Sequence, residues 1–475
     1  MKLEYQLTNN VYKISDICQV HGFKAILVGG MVRDYFLSKI NNVKFKSKDI
    51  DIEVYGVQSY NELEHILSQY GKTNIVGKSF GVIKLTIDDE EFDISLPRRE
   101  STIGKKHTDL EIVIDGELKY NDAFKRRDFT MNAIGYDINE RKFIDPFNGI
   151  NDIKNGVINI VDEYTFVEDP LRLYRAIQFA SRFNMTINSK TFKLLKNMVD
   201  NGIIDNLPKE RIFEEFNKMF LKSKKPSIGF NLMKNIGLLH KYFNELSDLI
   251  RVQQDSKWHP EGDVWTHTMM VIDEMSETMP DVDNVKKITY FYACLCHDLG
   301  KVSTTKFIDG KWRARGHEKA GIEPTLSFMK KLTNDKDLIN DVVKLVEYHL
   351  RPTLLYSNKS SMGAIKRLAR KVNLLDVVRV NRADHLGRTT EKALNRENSV
   401  YDYFMDIIEN KLNFDMEGNQ VYSEPKLITG KDLIDLGIKP GPEFKKILEF
   451  IYIEQLEGRI QTKKEGLELL NTLKA

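Results

Sequence analysis

Asp49 and Asp51 stand two residues apart in KDIDIEVYG, where the apolar residues between and after them mark a strand. Alternate residues of a strand face the same way, so the two carboxylates project side by side. Acids that close repel one another unless a cation sits between them. Hard oxygen ligands aimed at one spot suit Mg²⁺, which takes one or two protein carboxylates and fills its other positions with water and phosphate oxygens. Upstream, ILVGGMVRDYFL sets Gly29 and Gly30 between an apolar run and a helix that carries Arg33, a place where backbone amides approach a phosphate closely. Each feature alone has a plain reading, a packed Gly turn or the solvated face of an edge strand. Together they suit nucleotidyl transfer, in which two ions clamp the attacking hydroxyl and the α-phosphate of a nucleoside triphosphate. Asp93 in EFDISL is a candidate third acid, although nothing in the sequence fixes the direction of its side chain.

Two further segments extend this set. KRRDFTMNAIGYD combines Arg126, Arg127, Asp128 and Asn132, cations for a triphosphate beside groups able to hydrogen-bond a ribose; the alternative is an exposed charged turn. In VEDPLRLYRAIQFASRF, Asp169 and Arg172 are three apart at the expected opening of a helix and thus on one side of it. A helix-start acid with Arg172 and Arg175 as surface cations is the plainer reading.

Histidines are scarce, yet several fall in one later region: WHPEGDVWTHTMM, CLCHDLGK, RGHEKAG, VEYHLRP and NRADHLGR. The His297–Asp298 doublet ends an apolar helix and offers one nitrogen and one oxygen ligand. His267 and Asp384 complete a possible set. A lone histidine on an apolar helix is usually a hydrogen-bonded core residue, so the inference rests on the ensemble.

The elements that must hold these residues are legible as patterns. KAILVGG, DIDIEVYG, GVIKLTIDD, EFDISL and NAIGYDI read as strands or strand ends, and from Pro170 onward helical spacing dominates. The chain of 475 residues suggests about three domains by length, and breaks at SKKPS, at KWHPEGD and from Asn413 to Pro425 divide it further. The expected fold class is α+β: a head with a mixed β-sheet over residues 1–160, a helical neck over 161–245, an all-helical metal-binding domain over 246–412 and a helical tail over 413–475. A composition 41% hydrophobic and 29% charged excludes a disordered chain. The net charge of +2 neither announces nor excludes a nucleic-acid partner. Only Cys18, Cys294 and Cys296 are present, with no CxxC pair, so a disulfide framework is not expected. No apolar leader or membrane-length run is visible, and a cytoplasmic protein with no membrane partner is expected.

With these segments in view, GGMVRD, DIDIEV, RRDFTMNA, EDPLRLYRA and LPKERIFEEFNK resemble, in order and spacing, the successive motifs of class II bacterial CCA-adding enzymes and poly(A) polymerases. The resemblance covers about the first half of the chain. It implies that Asp49 and Asp51 hold Mg²⁺, that Gly29, Gly30 and Arg33 contact the triphosphate, and that Arg127, Asp128 and Asn132 orient the nucleotide and its sugar. It also implies that Asp169 and Arg172 read the base edge, with Arg211 and Glu214 supporting the neck. A carboxylate beside a guanidinium matches the donor–acceptor edge of cytosine or adenine and mismatches guanine and uracil. The later order of His267, His297–Asp298 and Asp384 resembles the HD superfamily of metal-dependent phosphohydrolases, and His317 and His349 match positions that bind further metal or phosphate in some members. This implies Mg²⁺ or a divalent transition metal at that site, with Lys301 steadying a phosphate. The implied activity is addition of CMP and AMP from CTP and ATP to the tRNA 3′ end. Poly(A) polymerases, CC-only or A-only enzymes, a nucleotidase using the head as substrate domain and a nucleotide-sensing RNA-binding protein are the alternatives. Oligomeric state is not legible.

Overall fold

The computed structural model describes residues 7–40, 42, 50–76, 81–102, 110–410 and 425–474, and Asp49 lies outside them. The head is built on strands β1 (Lys24–Val28), β2 (Ile50–Tyr55), β3 (Lys72–Val76), β4 (Val82–Ile87) and β5 (Glu90–Ser95), followed by β6 (Arg98–Thr102), β7 (Leu110–Ile114), β8 (Gly135–Asp137) and β9 (Lys142–Ile144). Seven of them form one sheet in the order β3-β4-β5-β2-β1-β8-β9, while β6 and β7 pair as a separate ribbon. The sheet is mixed, as expected: β2 and β5 run parallel, and the other neighbours are antiparallel.

Strands β1 and β2 lie toward the centre and are largely buried: β1, KAILV, reads as an apolar run after Lys24, whereas β2, IDIEVY, alternates apolar residues with Asp51 and Glu53. Ile26, Val28 and Tyr55 pack with Ala123, Phe124 and Ala133 in one core cluster. Phe124 is fully buried there, and a Cβ on Gly135 of β8 would meet its ring at 2.9 Å. Edge strand β3, KTNIV, is largely exposed and lacks the alternation that reveals a half-buried strand. Beyond the sheet, Leu173, Tyr174, Ala176, Ile177 and Ala180 bury one side of the helix Arg172–Phe183.

In the later region the helices Val264–Glu277, Asn284–Cys296, Lys336–Tyr348 and Leu374–Leu386 pack on one another. Asp263, Asp283, Asp335 and Asn373 cap their N-termini through side-chain acceptors. The region is not all-helical: Thr305–Ile308 pairs antiparallel with Lys311–Ala314 across a turn in which Asp309 and Gly310 have positive φ. The three cysteines are free and buried. In the tail, Gly430–Asp435, Pro442–Leu456 and a third helix, Lys463–Lys474, enclose a small core of Ile428, Leu433, Ile451, Ile460 and Leu470.

The chain divides into two compact units, Met1–Met219 with Asn231–Leu238, and Phe220–Phe230 with Leu239–Ala475. No helix among the described residues is long and apolar enough to cross a membrane.

Because Phe124 fills the space between the sheet and Gly135, Phe124→Ala is expected to destabilise the first unit by about 3–5 kcal/mol. Chemical denaturation of the variant beside the parent checks this.

Candidate functional site

At the end of β1 the backbone turns at Gly29 with φ +72°, and a helix starts at Gly30. The β1–β2 register sets Val28 opposite Asp51. A Cβ on Gly29 would lie 2.9 Å from Asp51 Oδ2, so the glycine is needed for its conformation and for the close approach. The parallel register aligns Asp51 with Asp93 of β5, which turns both acids to the same sheet face. The direction of Asp93 that the sequence left open is thereby settled; its carboxylate is half-exposed and pairs with Lys84 at 3.0 Å. This donor set beside a turn that a Cβ would fill fits a divalent ion bound with phosphate oxygens.

Behind the turn lies a chain of charged groups. Glu53, two residues after Asp51, is fully buried and meets Arg126 at 2.8 Å, Arg127 at 3.7 Å and the Tyr55 hydroxyl at 2.6 Å. Burial lowers the pKa of Arg127 from its usual value, while Glu53 and Asp51 act against that. Arg33, also buried, donates to Asn132 Oδ1 at 2.7 Å, and the Asn132 amide donates to Asp128 at 2.8 Å. Asp128 also accepts from the Phe129 backbone N–H and from Arg175, whose Nη2 is 2.6 Å away. Burial pushes Asp128 upward, but Arg175 and Asn132 outweigh it and hold the carboxyl below its usual range. The guanidinium of Arg33 lies over the rings of Phe179 and Phe183, which are stacked on each other at 5.6 Å. RRDFTMNA is therefore a packed scaffold and not an exposed turn, and Arg175 is one of its members rather than a surface cation.

Asp169 and Arg172 sit differently from the expectation of one shared helix face. Asp169 is the extended residue after the helix Glu163–Glu168, and the next helix starts only at Arg172. The reason is Pro170, which disfavours helical backbone in the residue before it. Arg172 donates to the carbonyls of Thr165 and Arg126 at 2.8 and 2.6 Å, and Asp169 instead meets Arg211 at 3.4 Å. Glu214 is exposed and its neighbour Glu215 is the buried acid.

The second unit holds a histidine cluster. His267, His297, Asp298, His317, His349 and Asp384 are all buried. Their ligand atoms group as His259–Glu261–His267, His267–His297–Asp298 and Asp298–His317–His349, in each case within 4.8 Å of one another. Asp298 is shared by two of these groups. Asp384 Oδ1 is 3.1 Å from His267 Nε2 and is held in turn by Arg388 at 2.9 Å.

The backbone fixes the ring tautomers. Nδ1 of His297, His317 and His349 lies 2.6–2.7 Å from the carbonyl three residues earlier, that of Cys294, Ala314 or Val346. Each Nδ1 carries the proton in that bond, so in the neutral ring Nε2 keeps the lone pair; at His317 burial opposes the charged form, but Asp298 outweighs it and raises the pKa. These Nε2 atoms are buried without a hydrogen bond, although His297 and His317 approach Asp298 to 3.1 and 3.3 Å, and Asp298 Oδ2 also meets Lys301 at 2.7 Å. Their proximity, within 4.8 Å in each group, is that of a ligand set that fits divalent ions. Burial, with His317 and His297 alongside, pulls the pKa of His349 down to about 3, and burial takes His259 to about 4. Both rings are neutral at physiological pH, the form a metal requires. Burial opposes ionisation of Asp298, yet His297 and Lys301 hold it well below the usual carboxylate range.

Sequence reasoning missed Glu53, the Phe179–Phe183 pair, His259, Glu261 and Arg388. Glu53 had a signal, since it continues the alternation of Asp49 and Asp51 along one strand. Glu261 faces both His259 and His267, at 2.9 and 2.8 Å.

A Gly turn and paired acids on a mixed sheet, followed by helices and a second unit with a buried His–Asp cluster, define a nucleotidyltransferase joined to an HD-type metal-binding domain. Family models match accordingly: a Poly A polymerase head domain over residues 25–159, a probable RNA and SrmB-binding site of polymerase A over 184–250, and an HD domain over 264–389. The Multifunctional CCA protein of Mannheimia succiniciproducens is 35% identical over 309 residues, 64% of this chain and 69% of that protein. Among solved structures, the Bacillus stearothermophilus CCA-adding enzyme in complex with CTP aligns with TM-score 0.65 and 19% identity, over 98% of this chain and 99% of that one. The Thermotoga maritima CCA-adding enzyme complexed with tRNA aligns with TM-score 0.60 and 22% identity, over 98% and 95%. The chain belongs to the family of multifunctional CCA proteins.

Two outcomes follow from this geometry. Asp128, held below its usual pKa, contributes stability that is present above the pKa of an unfolded aspartate, about 3.9, and is lost as pH falls through its depressed folded value. Arg175→Met removes the main opposing charge, so acid unfolding moves to higher pH than in the parent, as a circular dichroism titration will record. At the second cluster, stripping with EDTA and returning Mn²⁺ or Ni²⁺ raises the unfolding temperature, with about 2.7 kcal/mol expected at a hundredfold excess over Kd. Asp298→Ala, which removes the shared ligand, abolishes that gain.

Proposed function

We propose that this chain adds CMP and AMP from CTP and ATP to the 3′ end of tRNA without a nucleic-acid template, and that its HD unit hydrolyses phosphate esters at RNA or nucleotide ends. The observation that carries the first part is the register of Asp51 and Asp93 against the Gly29 turn. Membership of the multifunctional CCA protein family and the three family models support both parts. The proposed organisation is a head over 1–160, a neck over 161–245, the HD domain over 246–412 and a tail over 413–475, acting in the cytoplasm where tRNA is matured.

In this reading Asp49 and Asp51 hold Mg²⁺, with Asp93 as a further acid on the same face. Mg²⁺, when bound, polarises the α-phosphate and lowers the pKa of the tRNA 3′-hydroxyl. Gly29 and Gly30 offer backbone amides at a helix N-terminus to the triphosphate, and Arg33 and Arg127 balance its charge. Asn132 and Asp128 orient the sugar, held still by Arg33 and Arg175. Asp169 and Arg172 present the donor–acceptor edge that selects cytosine or adenine, and a wrong base leaves their polar groups unpaired. Arg211 is added to this group through its contact with Asp169.

In the HD unit, His267, His297, Asp298 and Asp384 hold a divalent ion, Mg²⁺ or a transition metal, and His317 and His349 with Asp298 hold a second. Such an ion lowers the pKa of bound water and neutralises phosphate charge. Lys301, 2.7 Å from Asp298 Oδ2, supplies a cation at the edge of the cluster.

Asp49→Ala and Asp51→Ala are each expected to reduce incorporation of CTP and ATP by more than about a hundredfold, judged against the 10–100-fold cost of disturbing even the partners of metal ligands. HD phosphatase turnover stays at the parent level in both, and Asp298→Ala gives the converse. Sequencing the 3′ ends of tRNA transcripts that stop before C, CC or CCA decides the product. Runs of A alone, or ends that stop at CC, overturn CCA addition.

A further inference from the structure

We infer that Glu261 is a positioning residue of the HD metal site: its carboxylate fixes the tautomer of His267 and ties that ring to the segment that carries Asp384. This rests on the ligand set of His267, His297, Asp298 and Asp384 proposed above and adds the group that makes His267 a ligand. The histidines of the cluster differ in how Nδ1 is held. His297, His317 and His349 each set Nδ1 against a backbone carbonyl three residues earlier. His267 does not. It is the fourth residue of the helix Val264–Glu277, and the carbonyl of Val264, three residues before it, accepts from the Thr268 hydroxyl at 2.8 Å.

A carboxylate stands where the other rings have a carbonyl. Glu261 Oε1 lies 2.8 Å from His267 Nδ1, and both side chains are buried. The approach is short without being aligned to the ring N–H, and Nδ1 has no other partner among the described residues. The same oxygen meets His259 Nδ1 at 2.9 Å. The second oxygen, Oε2, accepts from the Thr389 backbone N–H at 3.1 Å. Thr389 follows Arg388, whose guanidinium holds the two oxygens of Asp384 at 2.9 and 3.0 Å. One side chain thus braces two ligands that stand 117 positions apart in the sequence. The loop that presents it is itself fixed: Gly262 has φ +119°, a conformation that favours glycine, and Asp263 accepts from the backbone N–H groups of Arg251 and Thr266 at 2.8 and 2.9 Å.

The consequence for an ion lies in where the ring proton sits. His267 Nε2 is 3.1 Å from Asp384 Oδ1, so the neutral ring has two arrangements: its proton on Nε2, toward Asp384, or on Nδ1, toward Glu261. Only the second leaves Nε2 with the lone pair that a divalent ion takes. Glu261 selects that arrangement, and Asp384 then serves beside His267 as a ligand instead of accepting its proton. A carboxylate behind the far nitrogen of a ligating histidine also fixes the ring's orientation and raises its basicity. Where helix ends supply carbonyls for the other rings, the loop before the helix supplies Glu261 for this one.

The test reads ion binding without turnover. Mn²⁺ is titrated calorimetrically into the full chain bearing Asp49→Ala and Asp51→Ala, which silence the head site, and thermal unfolding is followed in EDTA. Glu261→Gln keeps the size of the side chain but turns an NH2 group toward either His267 Nδ1 or the Thr389 N–H. The first favours the proton on Nε2 and the second breaks the tie to Thr389, so the Kd for Mn²⁺ is expected to rise about 10–100-fold. Glu261→Asp, with both acceptor oxygens one methylene further back, is expected to fall between the parent and the amide, and its raised Kd carries the test alone should the amide variant not fold. An unchanged Kd with a lowered unfolding temperature in EDTA makes the carboxylate merely structural and overturns the inference. A stoichiometry one ion lower, with the remaining Kd unchanged, makes Glu261 a ligand in its own right and overturns it as well. The ligand set fails separately: parent heats no larger than those of Asp298→Ala refute that set and this role with it, whereas a parent and a Glu261→Gln variant that bind equally well refute the role of Glu261 alone.

Discussion

Glu53 lies fully buried on a central strand of the head sheet, where a carboxylate without cations and donors beside it carries a large desolvation cost. Arg126, Arg127 and the Tyr55 hydroxyl meet it. Through Arg127 it reaches the Gly29 turn, and the Arg126 carbonyl accepts from Arg172, at the start of the next helix. The buried acid thus sets the positions of groups that belong to three separate segments of sequence. Asp128 does the same a short distance away, fixing Asn132 and Arg175 and, through Asn132, Arg33.

In the HD unit the same requirement is met by the main chain. Three histidines each commit one ring nitrogen to a carbonyl three residues earlier, within the turn of backbone that carries them. Helix ends leave such carbonyls without an intrahelical partner, so the ligand geometry arises where helices finish: His297 and His349 are the C-caps of Asn284–Cys296 and Lys336–Tyr348. The choice of tautomer is therefore local, whereas the convergence of the other nitrogens on Asp298 is a property of how the helices pack.

This division explains what was legible from the residues. Motifs whose members are close in sequence, such as Gly29–Gly30, Asp51 and His297–Asp298, could be read directly, and the central strands announced themselves as an apolar run in β1 and a strict alternation in β2. Edge strand β3 did not, because an exposed strand has no buried face to imprint a period on its sequence. The Thr305–Ala314 hairpin carried an Asp-Gly turn signal in IDGK but lay in a stretch of dominant helical pattern. Glu261 was invisible as a partner of His267 because its role depends on a loop folding back onto a helix. The pairing of Asp169 with Arg211 rather than Arg172 turned on Pro170, a residue whose effect on its neighbour was available in the sequence and outweighed there by the spacing rule.

The rearrangement around Pro170 bears on how side chains stand in for a template. An arginine free to rotate would meet guanine or uracil by moving, and discrimination would shrink to what a flexible donor permits. Arg172 is not free: two of its nitrogens are committed to the carbonyls of Thr165 and Arg126. Its remaining donors therefore keep a fixed direction, and Asp169, held off the helix by the proline, keeps its own through Arg211 and the Leu171 backbone N–H. In the proposed reading the rejection of a wrong base comes from this immobility, since a group that cannot turn away is left unpaired and the whole desolvation cost falls on the mismatched complex. The carbonyl of Arg126 belongs to the same segment whose Arg126 and Arg127 side chains meet Glu53 and which carries Asp128 and Asn132. In the proposed reading, base selection and triphosphate binding are thus fastened to one short piece of backbone, which keeps the selected base in register with the reacting phosphate.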